Sequence, residues 1–260
     1  MMEKDKIYNE NCLDTMSRME DNFIDLTITS PPYDNLRTYN GYTFDFESIA
    51  KELYRVTKEG GVVVWVVGDA TIKGSETGTS FRQALFFKEC GFNLHDTMIW
   101  KKKNPTPNDT RQNRYRQAFE YMFILSKGKP NVCNYIYEPC KFAGMSAAKL
   151  GSQRKVNGDR RTDIERRRKE QVVKKYKTLS NIWDFAVGGH KEHPATFPEQ
   201  LANDHIISWS NEGGLVYDPF IGSGTTAKMA KLNGRYYIGS EISEEYCKIS
   251  YQRLQEIKMF

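Results

Sequence analysis

Short β-branched runs and helically spaced apolar positions take turns along this chain. Residues 24–29 are apolar and β-branched and end in Ser-Pro-Pro, which predicts a buried strand stopping at a turn. Phe46, Ile49, Ala50, Leu53 and Val56 fall at helical spacing, predicting an amphipathic helix that stops before Gly60-Gly61. Residues 62–67 read as a fully buried strand. Phe81, Leu85 and Phe86 suggest a helix ending near Gly91, and residues 98–100 and 121–125 suggest two more strands. Alternating strands and helices with short connections imply an α/β domain around a mainly parallel sheet.

The pattern breaks at about Ala143. From there to Ser180 the chain is basic and poor in large apolar residues, with residues 163–176 open to a charged helix. Such a stretch cannot form its own core, so it reads as an insertion. Alternation then resumes: residues 215–217 as a strand, 225–232 as a helix, 236–239 as a strand and 244–257 as a closing helix. The expected organisation is residues 1–142 as one half of a domain, 143–180 as the insertion and 181–260 as the other half.

Charge sharpens this division. The net charge is +5, but residues 149–177 hold 12 Lys/Arg against 4 Asp/Glu, a local +8, so the remainder sums to about −3. A near-neutral body with one basic block points to a polyanion held by a dedicated segment. Five scattered cysteines without a C-x-x-C pair argue against a disulfide framework or a zinc ribbon, and no metal site is expected. The first residues lack an apolar signal core, and no apolar run approaches a bilayer span, so a reducing cytoplasm is the expected location.

Two turns carry candidate chemistry. Asp218-Pro-Phe-Ile-Gly222-Ser-Gly224-Thr-Thr-Ala227 lies between a predicted strand and a predicted helix, where glycines allow close backbone approach and a helix start offers free amides. Glu241, at the end of the next strand, can accept both ribose hydroxyls of an adenosine-type cofactor. Alone, this pattern also admits a nicotinamide dinucleotide, or a tight turn without a ligand. Asp218 would repel a pyrophosphate yet attract the ammonium or sulfonium of S-adenosylmethionine. With 36 residues left after Gly224, the other strands must come from the N-terminal side, giving a permuted Rossmann-like sheet.

The second turn is Thr29-Ser30-Pro31-Pro32-Tyr33. An exocyclic base amine is a poor nucleophile because its lone pair is delocalised into the ring. Accepting both amine hydrogens favours a pyramidal nitrogen; Ser30 Oγ and the Pro31 carbonyl are suitable acceptors, and two prolines stiffen the turn. Tyr33 offers a face for a base taken out of the duplex. Alone, Ser-Pro-Pro-Tyr could be a proline turn after a strand. Both turns, however, fall at carboxyl ends of predicted strands, where open α/β sheets bind ligands.

Together these motifs resemble the amino-methyltransferases of bacterial restriction–modification systems, in the permuted class whose catalytic motif precedes the cofactor motif. Glu52-Leu-Tyr-Arg-Val-Thr-Lys-Glu-Gly-Gly61, Ile238-Gly-Ser-Glu241 and His193-Pro-Ala-Thr-Phe-Pro198 resemble further family segments in the same order. The resemblance implies a Rossmann-like S-adenosylmethionine-dependent fold and DNA methylation by base flipping. It implies catalytic roles for Ser30, Pro31, Pro32 and Tyr33. It further implies a cofactor seat built from Asn11, Thr29, Phe197, Pro198, Asp218, Phe220, Gly222, Ser223, Gly224, Thr225, Thr226 and Glu241. Ser-Pro-Pro-Tyr, the continuation to Tyr39 and Phe197-Pro198 are similar to the cytosine-N4 pattern, with adenine N6 as the alternative target. Asn11 stands where the family often carries Asp, a departure that leaves room for a DNA-binding protein with an inert site.

In the family a target-recognition segment occupies the place of the basic insertion. Candidate DNA contacts are Arg37, Arg154, Lys155, Arg160, Arg161, Arg166, Arg167 and Arg168, most on phosphates and one or two on guanine edges. Double-stranded DNA is the implied partner; a homodimer and a cognate restriction endonuclease stay open. Pro139-Cys140 is similar to the nucleophile of cytosine C5 methyltransferases, but it lies far from Ser30 and reads as a buried thiol. His193 reads as a residue beside the following helix. Trp65, Trp100 and Trp183 read as core.

Overall fold

The computed structural model describes residues 2–32, 44–105, 113–146, 157–159, 171–187 and 198–257. Two compact units divide the chain: Met1–Asn134 with Asn181–Phe260, and Tyr135–Ser180. In chain order, β1 (Lys6–Tyr8) leads to α1 (Cys12–Ser17), β2 (Ile24–Thr29), α2 (Phe46–Val56) and β3 (Thr57–Val67). A small hairpin, β4 (Thr71–Ile72) and β5 (Ser75–Glu76), precedes α3 (Thr79–Glu89), β6 (Asn93–Lys102) and β7 (Phe119–Ser126). The second unit supplies β8 (Tyr137–Pro139) and β9 (Tyr176–Thr178). The first unit then resumes with β10 (Ile182–Phe185), α4 (Glu199–Trp209), β11 (Leu215–Asp218), α5 (Thr225–Leu232), β12 (Tyr236–Ser240) and α6 (Glu244–Gln255).

Eight strands form one sheet in the order β1-β12-β11-β2-β3-β7-β6-β10. Neighbours run parallel throughout, except that β7 is antiparallel to both β3 and β6. From β11 the chain winds outward through β12, and from β2 it winds outward through β3. The order therefore reverses between β2 and β11, and that switch point is where open α/β sheets leave a crevice.

Burial on both faces explains why residues 62–67 of β3 are a continuous apolar run rather than an alternating one. Val63, Trp65 and Val67 join the core cluster formed with Ile49, Leu53 and Val56 of α2 and Phe87 of α3. Val62, Val64 and Val66 are equally buried on the other face, where α4 packs across β2 and β3. Asp45 caps α2, its Oδ1 accepting from the Ser48 amide at 3.2 Å. The predicted helix therefore ends at Val56, and β3 begins at once. Its first residues bulge: Ile24 pairs with Thr57, but Leu26 pairs with Val62, and Gly60 takes φ +77° in the excursion.

One sequence expectation is met with an unexpected buried face, and another needs correction. The helix signalled by Phe81, Leu85 and Phe86 exists, but its buried residues are Ser80, Gln83, Ala84 and Phe87. Phe81 and Leu85 are 52% and 59% exposed, while Gln83 turns inward to accept from Trp65 Nε1 at 2.8 Å. The charged helix expected over 163–176 fails in its described part. Val172 bridges to Ser146, and Tyr176 opens β9, whose partner is β8. A third expectation is adjusted: Cys140 is half-buried rather than buried. Trp65, Trp100 and Trp183 are core residues as expected. Among the described residues no helix is long and apolar enough to cross a membrane.

Candidate active site

At the switch point the last residues of β2 and β11 lie side by side, with Val216 beside Leu26 and Tyr217 beside Thr27. One step further, Thr29 Oγ1 donates to Asp218 Oδ1 at 2.7 Å. Thr226, in the first turn of α5, donates to Asp218 Oδ2 at 2.7 Å, and the Phe220 amide donates to Oδ1 at 3.0 Å. Thr29, Asp218 and Thr226 are sealed from solvent. Their side chains clasp one another and join the Ser-Pro-Pro strand to the glycine-rich turn, residues 189 apart in sequence. Burial pushes the Asp218 carboxyl up to about 6, and the hydroxyls of Thr226 and Thr29 with the Phe220 amide restrain it from rising further.

The glycine-rich turn is braced from several sides. Gly224 adopts φ +82°, and a Cβ there would lie 2.9 Å from Cβ and Oγ of Ser250 on α6. Ser250 Oγ in turn donates to the Gly222 carbonyl at 2.6 Å. Gly239 of β12 leaves room for Ile221, whose Cδ1 would be 2.3 Å from an added Cβ. Gly224 and Gly239 thus serve packing of the turn on its own protein. Ser223 and Thr225 are also buried, whereas Phe220 and Gly222 keep partial exposure.

Glu241 follows β12 and turns back to the loop. Its Oε2 accepts from the Gly222 amide at 3.0 Å and its Oε1 from the Ser243 amide at 2.8 Å. Burial raises its pKa against these backbone donors. A carboxylate has about four lone-pair sites, so two amides leave acceptors for hydroxyls. The end of β1 is stapled to the same place: the Glu241 amide donates to the Tyr8 carbonyl at 3.0 Å, and Asn9 Nδ2 donates to the Glu241 carbonyl at 2.8 Å. Asn11 caps α1 two residues on, with Oδ1 accepting from the Leu13 amide at 2.9 Å.

Ser30 and Pro32 are half-buried at the carboxyl end of β2, and Pro31 is buried. Phe220 packs edge-on against Phe44 with centroids 5.6 Å apart, and Phe44 continues to Phe46 at the start of α2. Pro198 is buried and caps α4. The candidates Tyr33, Arg37, Arg154, Lys155, Arg160, Arg161, Arg166, Arg167, Arg168 and Phe197 lie outside the described residues, as does His193.

Ser250, Arg253, Glu199 and Lys228 support the turn but carry no motif. Arg253 of α6 donates through Nη1 to the Ser223 carbonyl at 2.5 Å and to Ser223 Oγ at 2.9 Å. Its Nη2 donates to Glu199 Oε1 at 2.7 Å, an oxygen that also accepts from Lys228 Nζ at 2.7 Å. In the sequence, Ser250 and Arg253 would betray themselves only by sharing a helix face three residues apart.

A doubly wound sheet, with a glycine-rich turn and a strand-end carboxylate at its switch point, is a Rossmann-like architecture, and open sheets of this kind bind ligands in the crevice at that point. Residues 24–252 match the DNA methylase family of N6 and N4 methyltransferases, and the chain belongs to that family. The orphan methyltransferase M.BamHII of Bacillus amyloliquefaciens is 58% identical over 242 residues, covering 89% of each chain. Among solved structures, the PvuII DNA methyltransferase, described as cytosine-N4-specific, aligns with TM-score 0.69 at 21% identity over 97% of this chain and 88% of that one. The DNA modification methylase TTHA0409 of Thermus thermophilus, in complex with S-adenosyl-L-methionine, aligns with TM-score 0.65 at 21% identity over 98% and 95%.

Proposed function

We propose that this DNA methylase acts on the exocyclic N4 amine of cytosine in double-stranded DNA at a specific site, with S-adenosyl-L-methionine as methyl donor. The observation that carries this reading is the clasp of Thr29 on Asp218 at 2.7 Å, which ties Ser30 to the glycine-rich turn in one crevice. Both halves of a methyl transfer then share the switch point. The half-exposed groups around it suit the cofactor: the Glu241 carboxylate for ribose hydroxyls, Phe220 and Gly222 for the turn's open face, and the Asn11 amide for the adenine. When bound, S-adenosyl-L-methionine supplies an electrophilic methyl group.

Ser30 Oγ and the Pro31 carbonyl accept the two amine hydrogens of the target base, so its lone pair turns out of the ring plane. Held this way, the nitrogen would face the methyl group that bound S-adenosyl-L-methionine would supply, and the amine proton would leave to water. No covalent enzyme intermediate is needed. Tyr33 supplies the stacking face for the flipped base. The insertion, with its basic block, supplies target recognition, phosphate contacts coming from its arginines and lysines. The orphan designation of M.BamHII favours a methyltransferase that works without a cognate endonuclease.

The test is to methylate DNA with the purified protein, digest it to nucleosides and weigh the products. N4-methylcytosine is the expected product. N6-methyladenine alone would overturn the cytosine assignment and leave the family intact.

A further inference from the structure

We propose that Arg253 and Glu199 are positioning residues for the cofactor seat: they latch α6 and the entry of α4 onto the glycine-rich turn, and thereby set cofactor affinity. The inference rests on reading that turn as the seat of S-adenosyl-L-methionine.

The geometry is a three-way junction. Arg253 fixes the Ser223–Gly224 peptide by holding its oxygen at 2.5 Å, while the Gly224 amide closes onto the Ile221 carbonyl at 2.8 Å. With both ends of that peptide engaged, the turn cannot flip its amides without breaking a charge-assisted bond. The other arm of the same guanidinium holds Glu199, the residue after Pro198. One side chain therefore ties the turn to the first residue of α4. The Arg253 side chain is 11% exposed and that of Glu199 36%, so the guanidinium is held inside while the carboxylate stays partly solvated.

Charge gives Glu199 a part of its own. The N-terminus of a helix carries positive partial charge and disfavours nearby cations. Yet Arg253 Nη1 lies 3.4 Å from Thr225 Oγ1, at the first residue of α5, and Lys228 stands in the same first turn. Glu199 offsets both cations through one oxygen, 2.7 Å from each. Without its charge, two uncompensated cations would sit behind a seat meant for a ligand of net positive charge. Neither residue lies on the strand that carries Ser30, so the effect falls on cofactor binding ahead of methyl transfer.

The experiment measures S-adenosyl-L-methionine affinity by calorimetry, alongside kcat and the KM for DNA at saturating cofactor. Glu199→Gln and Arg253→Ala are each expected to raise the cofactor Kd roughly tenfold, the loss of one charge-assisted bond, and the double variant little more than either. Turnover at saturating cofactor and the KM for DNA stay within about twofold of wild type. Arg253→Lys recovers part of the affinity, because one ammonium cannot span both Ser223 and Glu199. Glu241→Ala is the control for the seat itself. An unchanged Kd in Glu199→Gln and Arg253→Lys, with a weakened Glu241→Ala, overturns the latch and keeps the seat. An unchanged Kd in Glu241→Ala as well overturns the seat. A parallel fall of Tm, kcat and DNA affinity in Glu199→Gln would reduce the pair to general stability and overturn the proposal.

Discussion

Replacing Thr29 by Val removes one hydroxyl from a sealed carboxylate and keeps the shape of the β2 terminus, and its effect depends on pH in a way that exposes the mechanism. At pH 8 Asp218 is ionised, since burial lifts it only to about 6. Losing one of its three donors then costs the value of a hydrogen bond to a charged group, about 2 kcal/mol. The same loss raises the carboxyl further, by roughly one to two pKa units. At pH 5 the carboxyl is mostly protonated, needs fewer donors and can donate itself, so the cost falls below about 1 kcal/mol. The sign follows from linkage: a carboxyl raised on folding contributes stability that is present below its ordinary value and lost as pH rises through about 6. His205 works in the opposite sense. Burial holds it at about 3, so its contribution is present above 6.5 and lost as pH falls. The wild-type stability curve therefore mixes the two, but the difference between variant and wild type isolates Asp218. Urea unfolding at pH 8 and pH 5 measures it. An equal destabilisation at both pH values would refute an ionised Asp218 clasp.

Ser30→Ala is expected to cut methyl transfer roughly a hundredfold, by analogy with losing one preorganised polar partner, while calorimetric cofactor binding holds; near-wild-type turnover would count against Ser30. Gly224→Ala combines an L-residue at φ +82° with a Cβ 2.9 Å from Ser250, so denaturant titration should show a loss of about 2–5 kcal/mol. His205→Leu removes an imidazole whose Nδ1 has no partner among the described residues and which burial keeps neutral when folded. Its stability relative to wild type should improve by up to about 2 kcal/mol on going from pH 8 to pH 5, seen as a widening gap in Tm.

The strands and helices nearest the switch point were legible because each obeys one strong period. β2 and α5 match their sequence ranges, and the well-paired part of β3 is the run from Val62 onward. Legibility failed where local pattern and burial part company. β6 is ten residues long, but its burial alternates, so only its buried centre around Met98 and Trp100 stood out. β1 is three residues long and owes its existence to its pairing with β12 at the far end of the chain. α3 shows Phe81 and Leu85 to solvent while Gln83 turns inward to accept from Trp65. Around the glycine-rich turn the motif itself was readable from residue type, whereas the bracing by Ser250, Arg253 and Glu199 was not. A serine, an arginine and a glutamate on helices look like any solvated face until tertiary structure turns them toward a loop.

The permuted order of the motifs becomes simple in these terms. The proposed methyl transfer requires an amine-holding turn and a cofactor turn at the ends of neighbouring parallel strands, and β2 and β11 are such neighbours whichever comes first along the chain. A contact spanning 189 residues carries a high entropic cost of closure, so the clasp of Thr29 on Asp218 cannot form early by local search. The pairing of β2 with β11 spans about the same separation, and together the two contacts bring Ser30 and the glycine-rich turn to one end of the sheet. A donor lost from that clasp should therefore act on both halves of the site at once. Arg253 and Glu199 lie on the cofactor side of the junction and should act on one.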